Sequence, residues 1–526
     1  MKYLLSFCLL FSFNYCLFAQ TFSNAYDVNN SYESGAKIIV VNDGVLISVL
    51  ARCENNSVSC AVLMKTDFDG NVLWERTLHG FKTSTDESFS VRDGFIYYVT
   101  QYNTDSIPDR IVMQKLNMDG EVVVENHLGA AHDGELPYEV HVYGEDKVLL
   151  TNVVWHPVDS ISSFTFWLVE MNENLEVQNE VFYPDPGVIH HWDRIWLSGI
   201  IATPDGGILG GFRTGPSDQR GAVIHKMDAD FNIEWTKKIL LPGDTGDIGH
   251  SDLNFTNLKQ GGYAVSWAIN TSSRGDFYIE GATWTSPVIY GLDTEGNTVW
   301  ESPIILQSDS IVYFDIYDLF TASNGDIVGC GEVYHSASGA NCGVVIRMSA
   351  EGELKWIKMI CEDYASYSPI WATYLWDGAE LPNGDLMFTG GTADSTGWSD
   401  FPYLYPQYDV WLLRLDSDGC LINDCEWEND FVLEDITPSY VGERPLDFII
   451  KPNPATQLTT LDFGEPLKEY AYLRLLSIDG RSVLERKLPK GQVSYQLPLT
   501  NVPDGLYFVQ LRIGGERVIV KKLVVN

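Results

Sequence analysis

Histidines and carboxylates gather at one place in this 526-residue chain: His190, His191 and Asp193 stand within four positions, and His250 with Asp252 follows farther on. Imidazole nitrogens and carboxylate oxygens so spaced are the donors that take up a divalent cation or pass a proton near neutral pH. The competing reading is a solvated histidine pair in a loop. No cofactor other than such a cation is suggested. Nucleophilic chemistry has no signature, since neither Gly-x-Ser-x-Gly nor His-Glu-x-x-His occurs. Asp67-Phe68-Asp69-Gly70-Asn71 opens like a calcium loop, but the glycine comes too early and Leu78 stands where the closing bidentate Glu belongs, so a turn is expected. A third group is aromatic. Trp192, Trp284, Trp398, Phe401, Tyr403 and Tyr405 fall in three long segments, 183–194, 270–287 and 393–408. Their rings could stack on sugars or pack against a protein, or simply cover their own loops.

These residues must be held by something, and self-similarity identifies it. KTDFDGNVLW (65–74) recurs as KLNMDGEVVV (115–124), KMDADFNIEW (226–235), GLDTEGNTVW (291–300), RMSAEGELKW (347–356) and RLDSDGCLIN (414–423), with a weaker copy, EMNENLEVQN, at 170–179. With the glycine position as marker, the seven copies fall at 70, 120, 174, 231, 296, 352 and 419, a mean spacing of about 58 residues. A second turn lies upstream in each unit, as in Asp43-Gly44, Asp93-Gly94 and Asn383-Gly384. Such dipeptides supply the positive φ angles of tight hairpins, and the flanking runs are rich in Val, Ile, Leu, Tyr and Trp. The unit reads as strand, tight turn, strand, variable loop, strand, tight turn, strand. The expected fold is therefore all-β: a β-propeller of about seven four-stranded blades, whose closed ring protects the sheet edges.

Asp-x-x-Gly-x-x-x-Trp resembles the repeat of quinoprotein-type propellers, where the Trp docks adjacent blades; Trp74, Trp235, Trp300 and Trp356 occupy that position. The resemblance concerns the fold, and the adjacent Cys-Cys pair of quinone-binding members is missing. The sialidase Asp box fails too, with Phe68 and Leu73 at two of its positions. In such a blade the tight turns share one face, and the long aromatic loops share the other. Loops on a rigid scaffold carry binding, so the loop face is the candidate surface.

The chain begins MKYLLSFCLLFSFNYCLFAQ, one Lys and an apolar run ending at Ala19, the pattern of a secretory signal peptide over 1–20. No later segment is long and apolar enough to span a bilayer. Export to an oxidising compartment makes the remaining cysteines candidates for bridges: Cys53–Cys60, Cys330–Cys342 and Cys420–Cys425, leaving Cys361 over. Residues 446–526 carry 11 Lys plus Arg against 8 Asp plus Glu, so the preceding 445 residues hold −41 of the net −38. That acidity argues against nucleic acid as a partner. Residues 426–445 are acidic, lack the repeat and read as a linker between a propeller over 21–425 and a small C-terminal β-sandwich over 446–526.

Within that last segment, Pro452-Asn453-Pro454, Gly480 in Ile-Asp-Gly-Arg, Gly505-Leu506-Tyr507 and the terminal Lys521-Lys522-Leu523-Val524-Val525 together resemble the type A C-terminal sorting domain of the type IX secretion system. Lys451 departs from the aromatic that is usual there. The resemblance implies a Bacteroidetes-type source, passage through the periplasm to the outer cell surface or the medium, the secretion machinery as partner, and removal of the domain on arrival. Two functions fit: a non-enzymatic module that binds or adheres to a glycan or protein, and an extracellular hydrolase or lyase with its site on the loop face. The missing motifs favour the first.

Overall fold

The computed structural model describes residues 21–526 apart from 29–32, 53–58, 82–87, 105–106, 129–134, 145, 159–160, 185–196, 215–220, 241–252, 270–285, 305, 308–310, 336–339, 361–372, 399–405, 422–431, 434–447 and short gaps near the end (464–465, 468–469, 478–480, 501, 504, 514–516, 526). The chain divides into two compact units, Met1–Ser439 and Tyr440–Asn526.

In the first unit the described residues form seven four-stranded antiparallel sheets. The first is Ser34–Val41, Gly44–Arg52, Ser59–Thr66 and Val72–Phe81. The second is Phe89–Arg92, Phe95–Thr104, Ile107–Asn117 and Val122–Leu128, and the third Glu135–Tyr143, Lys147–Val158, Ile161–Met171 and Val177–Pro184. Leu197–Ala202, Ile208–Thr214, Gly221–Met227 and Ile233–Leu240 make the fourth; Asn254–Asn257, Tyr263–Ile269, Ser286–Leu292 and Thr298–Pro303 the fifth. The sixth is Ile311–Thr321, Ile327–His335, Ala340–Met348 and Leu354–Ile360. The seventh takes three strands from the end of the unit, Thr373–Glu380, Leu386–Trp398 and Pro406–Leu415, and its fourth, Phe22–Tyr26, from the beginning. Phe22 pairs with Arg414 and Tyr26 with Val410, so the two ends of the repeat region are laced together.

The Asp-x-Asp-Gly stretch is a turn. Asp67 Oδ1 accepts the N–H groups of Asp69 (3.0 Å) and Asn71 (2.8 Å), and Asn71 Nδ2 donates to Oδ2 at 2.9 Å. Burial works against the Asp67 carboxylate, yet these donors hold its pKa below the ordinary value. Asn117, Asn172, Asp228, Asp293, Ser349 and Asp416 make the same pair of bonds in the other sheets. The residue closing the turn takes positive φ, 82° at Gly70 and still 61° at Leu175 and 65° at Phe231. In the weak third copy the marker is therefore Leu175 rather than position 174.

Each sheet's outermost strand reaches the turn of the next sheet. The Trp74 ring lies over Gly120, Trp235 over Gly296, Trp300 over Gly352 and Trp356 over Gly419; a Cβ on Gly352 would stand 2.5 Å from the Trp300 ring. Where Trp is missing a hydrogen bond serves: Asn126 Nδ2 donates to Leu175 O at 2.7 Å, Tyr183 OH to Phe231 O, and Tyr26 OH to Gly70 O at 2.6 Å. The last of these joins the seventh sheet to the first. The first strands also touch in order, the seventh's against the first's.

An ion pair ties the two turns within a sheet. In four sheets the residue that opens the repeat reaches the upstream turn: Lys65 pairs with Asp43 (2.9 Å), Lys226 with Asp205 (2.9 Å), Arg347 with Asp326 (2.8 Å) and Arg414 with Asp385 (2.8 Å), whereas Lys115 of the second sheet donates to Glu173 O of the third at 3.0 Å. The third sheet reverses the charges, with Lys147 and Glu170 2.8 Å apart. The fifth has Gly291 instead, and the Trp300 ring fills its space, 2.2 Å from where a Cβ would stand.

Cys330 is a buried free thiol, which corrects the expected Cys330–Cys342 bridge. Cys330 faces Val345 and Cys342 faces Val333 across the ladder, an offset of three residues that puts the two side chains on opposite faces of the sheet. Cys342, like Cys60 and Cys420, is engaged elsewhere, with a partner outside the described residues, where Cys53, Cys361 and Cys425 also fall. Among the described residues no helix is long and apolar enough to cross a membrane.

The second unit has a three-stranded sheet, Ile449–Lys451, Leu458–Asp462 and Ser494–Pro498, and a four-stranded one in the spatial order Ser482–Leu488, Ala471–Ser477, Gly505–Ile513, Arg517–Val525. Leu461 and Leu497 from one sheet and Leu473, Val509, Leu511 and Leu523 from the other share one buried core.

Candidate functional site

Most residues singled out for binding lie outside the described residues: Trp192, Trp284, Phe401, Tyr403, Tyr405, His190, His191 and Asp193. Trp398 closes the strand Leu386–Trp398, opposite Pro406, and nothing is described of its side chain.

Between the turn end and the loop end, the first strands carry acids at mid-strand or nearer the turn. Three carry a β-bulge where a carboxylate follows: Glu139, Asp318 and Asp377. A bulge bends the strand and re-aims the side chain. Each acid is thereby turned onto a backbone N–H of the next sheet: Glu139 accepts from Ile200 (2.9 Å), Asp318 from Gly378 (3.2 Å) and Asp377 from Ile38 (2.7 Å). These acids clamp the scaffold.

Glu332 differs. It lies three residues from the loop end of Ile327–His335, is 4 % exposed, and is held by side chains: Tyr317 OH donates to Oε1 at 2.6 Å and Asn341 Nδ2 to Oε2 at 2.8 Å. Burial pushes its pKa from 4.5 up to about 7, although both hydrogen bonds favour the ionised form. Tyr317 carries the Trp376 ring 4.4 Å away, Trp376 meets Tyr374 edge-on at 5.3 Å, and Tyr374 lies 5.7 Å from Tyr408. Tyr317 and Trp376 are half-buried; Tyr374 and Tyr408 are buried. The arrangement sets the partly exposed rings of Tyr317 and Trp376 beside a buried carboxyl whose pKa burial raises, the combination found where a group takes up or passes a proton. Asn341, Tyr317 and Glu332 have no local motif in the sequence. The signal that could have found them is an acid in the otherwise apolar run of a second strand.

Asp27, Glu33 and Asp409 also meet, one oxygen of each within 4.8 Å of the others, where the first strand of the chain closes the seventh sheet. Val28 N donates to Glu33 at 2.5 Å, and Asp27 is exposed, so the three acids alone define no metal centre.

In the second unit the quoted motifs come together. The peptide bonds before Pro452 and Pro454 are cis, and the residue between them grips the last strand: Asn453 Nδ2 donates to Lys522 O (2.8 Å) and Val524 N to Asn453 Oδ1 (3.0 Å). Gly505 pairs with Val525 and Tyr507 with Leu523, while Tyr507 OH donates to Pro503 O at 2.8 Å. The Lys521-Lys522 pair thus sits on a strand held from both sides; Gly480 falls outside the described residues.

Residues 450–526 match the family of secretion system C-terminal sorting domains. The protein carries the sorting domain of the type IX system and is exported, to be secreted or attached to the cell surface. No curated protein matches the sequence. Among solved structures, it is similar to the polysaccharide lyase Uly1 (10 % identity, 65 % of this chain and 92 % of that one, TM-score 0.35). It is also similar to the Fusarium graminearum GH93 α-L-arabinofuranosidase with arabinobiose (12 %, 63 % and 92 %, 0.38). A third likeness is to Pyrococcus horikoshii acylaminoacyl peptidase (8 %, 83 % and 59 %, 0.39), so that the match spans less than two thirds of that enzyme. At these scores the likenesses assign no activity.

Proposed function

We infer that residues 21–425 close into a seven-bladed β-propeller which the sorting domain over 446–526 delivers to the cell exterior, where it works as a non-enzymatic module binding a glycan or protein. The linker is 426–445, and bridges at Cys53–Cys60 and Cys420–Cys425 belong to the same reading. One observation carries it: the bulge carboxylates of the first strands are spent on neighbouring backbone N–H groups, while the half-buried rings of Tyr317 and Trp376 stand together, backed by the buried rings of Tyr374 and Tyr408. Rings on a rigid scaffold suit a sugar face or an apolar protein side chain.

The second reading, a hydrolase or lyase, draws on Glu332. A carboxyl with a pKa near 7 beside a tyrosine is suited to general acid or base work. Glycan-array binding of the purified mature protein, run beside an activity screen on polysaccharides and peptides, separates them. Binding that is lost in Trp376→Ala and kept in Glu332→Gln supports the module. Turnover abolished by Glu332→Gln at unchanged binding supports the enzyme, and neither signal in any arm removes this cluster as the site.

A further inference from the structure

The outer strands of the first four sheets are edges, paired on one side only among the described residues. Two residues past the positive-φ residue of the turn, each edge presents a branched apolar side chain: Val72, Val122, Val177 and Ile233, with Leu73 and Val123 one place farther on. These six are between 37 and 54 % exposed. In the other sheets the same place after the turn glycine is taken by Thr298, Leu354 and Leu421, all half-buried. The exposed places follow one another around the unit, because each outer strand reaches the next sheet's turn. The Trp74 ring lies over Gly120, Asn126 Nδ2 reaches Leu175 O and Tyr183 OH reaches Phe231 O, each contact two residues from the next exposed side chain. An open edge with exposed branched residues invites another chain, and charge is what natural sheets use to choose or refuse it. Here the charge has one sign. Across these turns and the first four residues of the four outer strands, every exposed charged side chain among the described residues is a carboxylate. The first exposed cation beyond them, Arg76, has its guanidinium 5.6 Å over the Trp74 ring.

We propose that this apolar arc docks a basic amphipathic segment of a partner protein, on a surface separate from the Tyr317 and Trp376 cluster and independent of what that cluster binds. The branched side chains supply area to bury, and the carboxylates beside them select the sign of what buries it. A second copy of this chain would bring the same carboxylates face to face. Residues 1–445 hold −41 of the net charge, so an anionic lipid surface is repelled as well. A segment with Lys or Arg on one side and apolar residues on the other answers both parts of the arc. Its cations meet exposed acids such as Asp119, Glu173 and Asp230, while its apolar side covers Val72, Leu73, Val122 and Val123. Where the segment is extended, the outer edge of a strand can add main-chain hydrogen bonds.

The test titrates the full purified chain with three short fluorescent peptides: alternating Lys and Leu, alternating Lys and Ser, and alternating Glu and Leu. The Lys-Leu peptide should bind about tenfold or more tighter than Lys-Ser, and Glu-Leu should not bind. Val72→Thr/Leu73→Thr/Val122→Thr/Val123→Thr keeps every charge and the strand preference of the edge. It should weaken Lys-Leu by about tenfold or more and leave Lys-Ser unchanged. Asp119→Asn/Glu173→Gln/Asp230→Asn should weaken both Lys peptides by about threefold or more and flatten their salt dependence. Thermal unfolding at the wild-type temperature shows that each variant is folded. Leu73→Lys/Val123→Lys is a second variant at the same exposed places and should lose the Lys-Leu peptide by like charge. Equal Lys-Leu affinity in wild type and in either arc variant overturns the proposal. So does a wild-type dimer in sedimentation that the Thr variant dissociates, which would make a second copy the occupant. Binding to phosphatidylcholine vesicles that the Thr variant loses, with no preference for Lys-Leu over Lys-Ser, would make it a bilayer and overturn a protein partner.

Discussion

The two ends of the same seven sheets obey different rules. At the turn end each sheet repeats one solution: a side-chain oxygen accepting two turn N–H groups, a residue of positive φ under the neighbour's outer strand, and, in five of the seven, an ion pair between the two turns. At the loop end the described polar groups are particular to their sheet, and Glu332 with Tyr317 and Asn341 has no counterpart among the described residues of the other six. Repetition marks what the architecture requires of every unit. A single occurrence that costs burial energy needs another explanation, and ligand chemistry is one. Breaking the turn end should therefore cost stability, and altering the loop-end cluster should not.

The largest effect is expected at Arg414. Its Nε and Nη2 donate to Asp385 Oδ2 at 3.0 and 2.8 Å, and its Nη1 donates to Phe68 O of the first sheet at 2.6 Å. Both side chains are under a tenth exposed, so Arg414→Ala leaves a buried carboxylate without its cation and unties the first sheet from the last. A loss of about 3–5 kcal/mol is expected by denaturant unfolding. A loss below about 1 kcal/mol would mean that the turn-end pairs are surface decoration.

Gly352 comes next. It has φ of 85° and the Trp300 ring 2.5 Å from its missing Cβ, so Gly352→Ala meets both backbone strain and a clash. About 2–4 kcal/mol is expected. A Trp300→Leu/Gly352→Ala double variant should recover part of the loss, and full additivity of the two changes would deny the contact.

Glu332 should move the other way. Its folded pKa of about 7 lies above the ordinary 4.5, so the folded state binds the extra proton and stability falls as pH rises between those values. Glu332→Gln removes that cost: the variant should match the wild type below pH 4.5 and exceed it by up to about 3 kcal/mol above pH 7. Thermal unfolding at pH 4.5, 6 and 8 checks both slope and sign. A variant less stable than wild type at pH 8 would place Glu332 with the scaffold acids.

The fold was legible because the turn end repeats: seven copies of one turn sequence announced seven sheets before any contact was known. The ion-pair position is legible too, for Lys65, Lys226, Arg347 and Arg414 head four of the copies, but a cation beside a turn has no fixed partner in the sequence as Gly and Trp have a fixed place in the turn. Phe22–Tyr26 carries no repeat marker, and pairing it with the end of the unit needs a contact across almost 400 residues. The Cys330–Cys342 expectation took nearness in the chain for nearness of side chains and ignored the two-residue alternation of a strand. Glu332 could not be assembled from sequence, because Tyr317 and Asn341 come from its two flanking strands and a bulge decides where Tyr317 points.

The smallest effect tests the turn end where it looks most like chemistry. Asp67 has both carboxylate oxygens engaged by Asp69 and Asn71, and Asp69 faces Arg414 at 3.5 Å, so both carboxylates are directed at protein donors rather than at a shared metal position. Asp67→Asn keeps an acceptor for the two N–H groups and should change stability by less than about 0.5 kcal/mol, whereas Asp67→Ala leaves them to water and should cost about 1 kcal/mol. Because the folded pKa is depressed, the carboxylate's contribution is present above its unfolded value and fades as pH falls through the folded one, so the gap between wild type and Asp67→Asn should close in acid. Calcium at millimolar concentration should leave the melting temperature of wild type and both variants unchanged. A calcium-dependent rise present in wild type and absent in Asp67→Ala would turn this repeated turn into a site and undo the division between the two ends of the sheets.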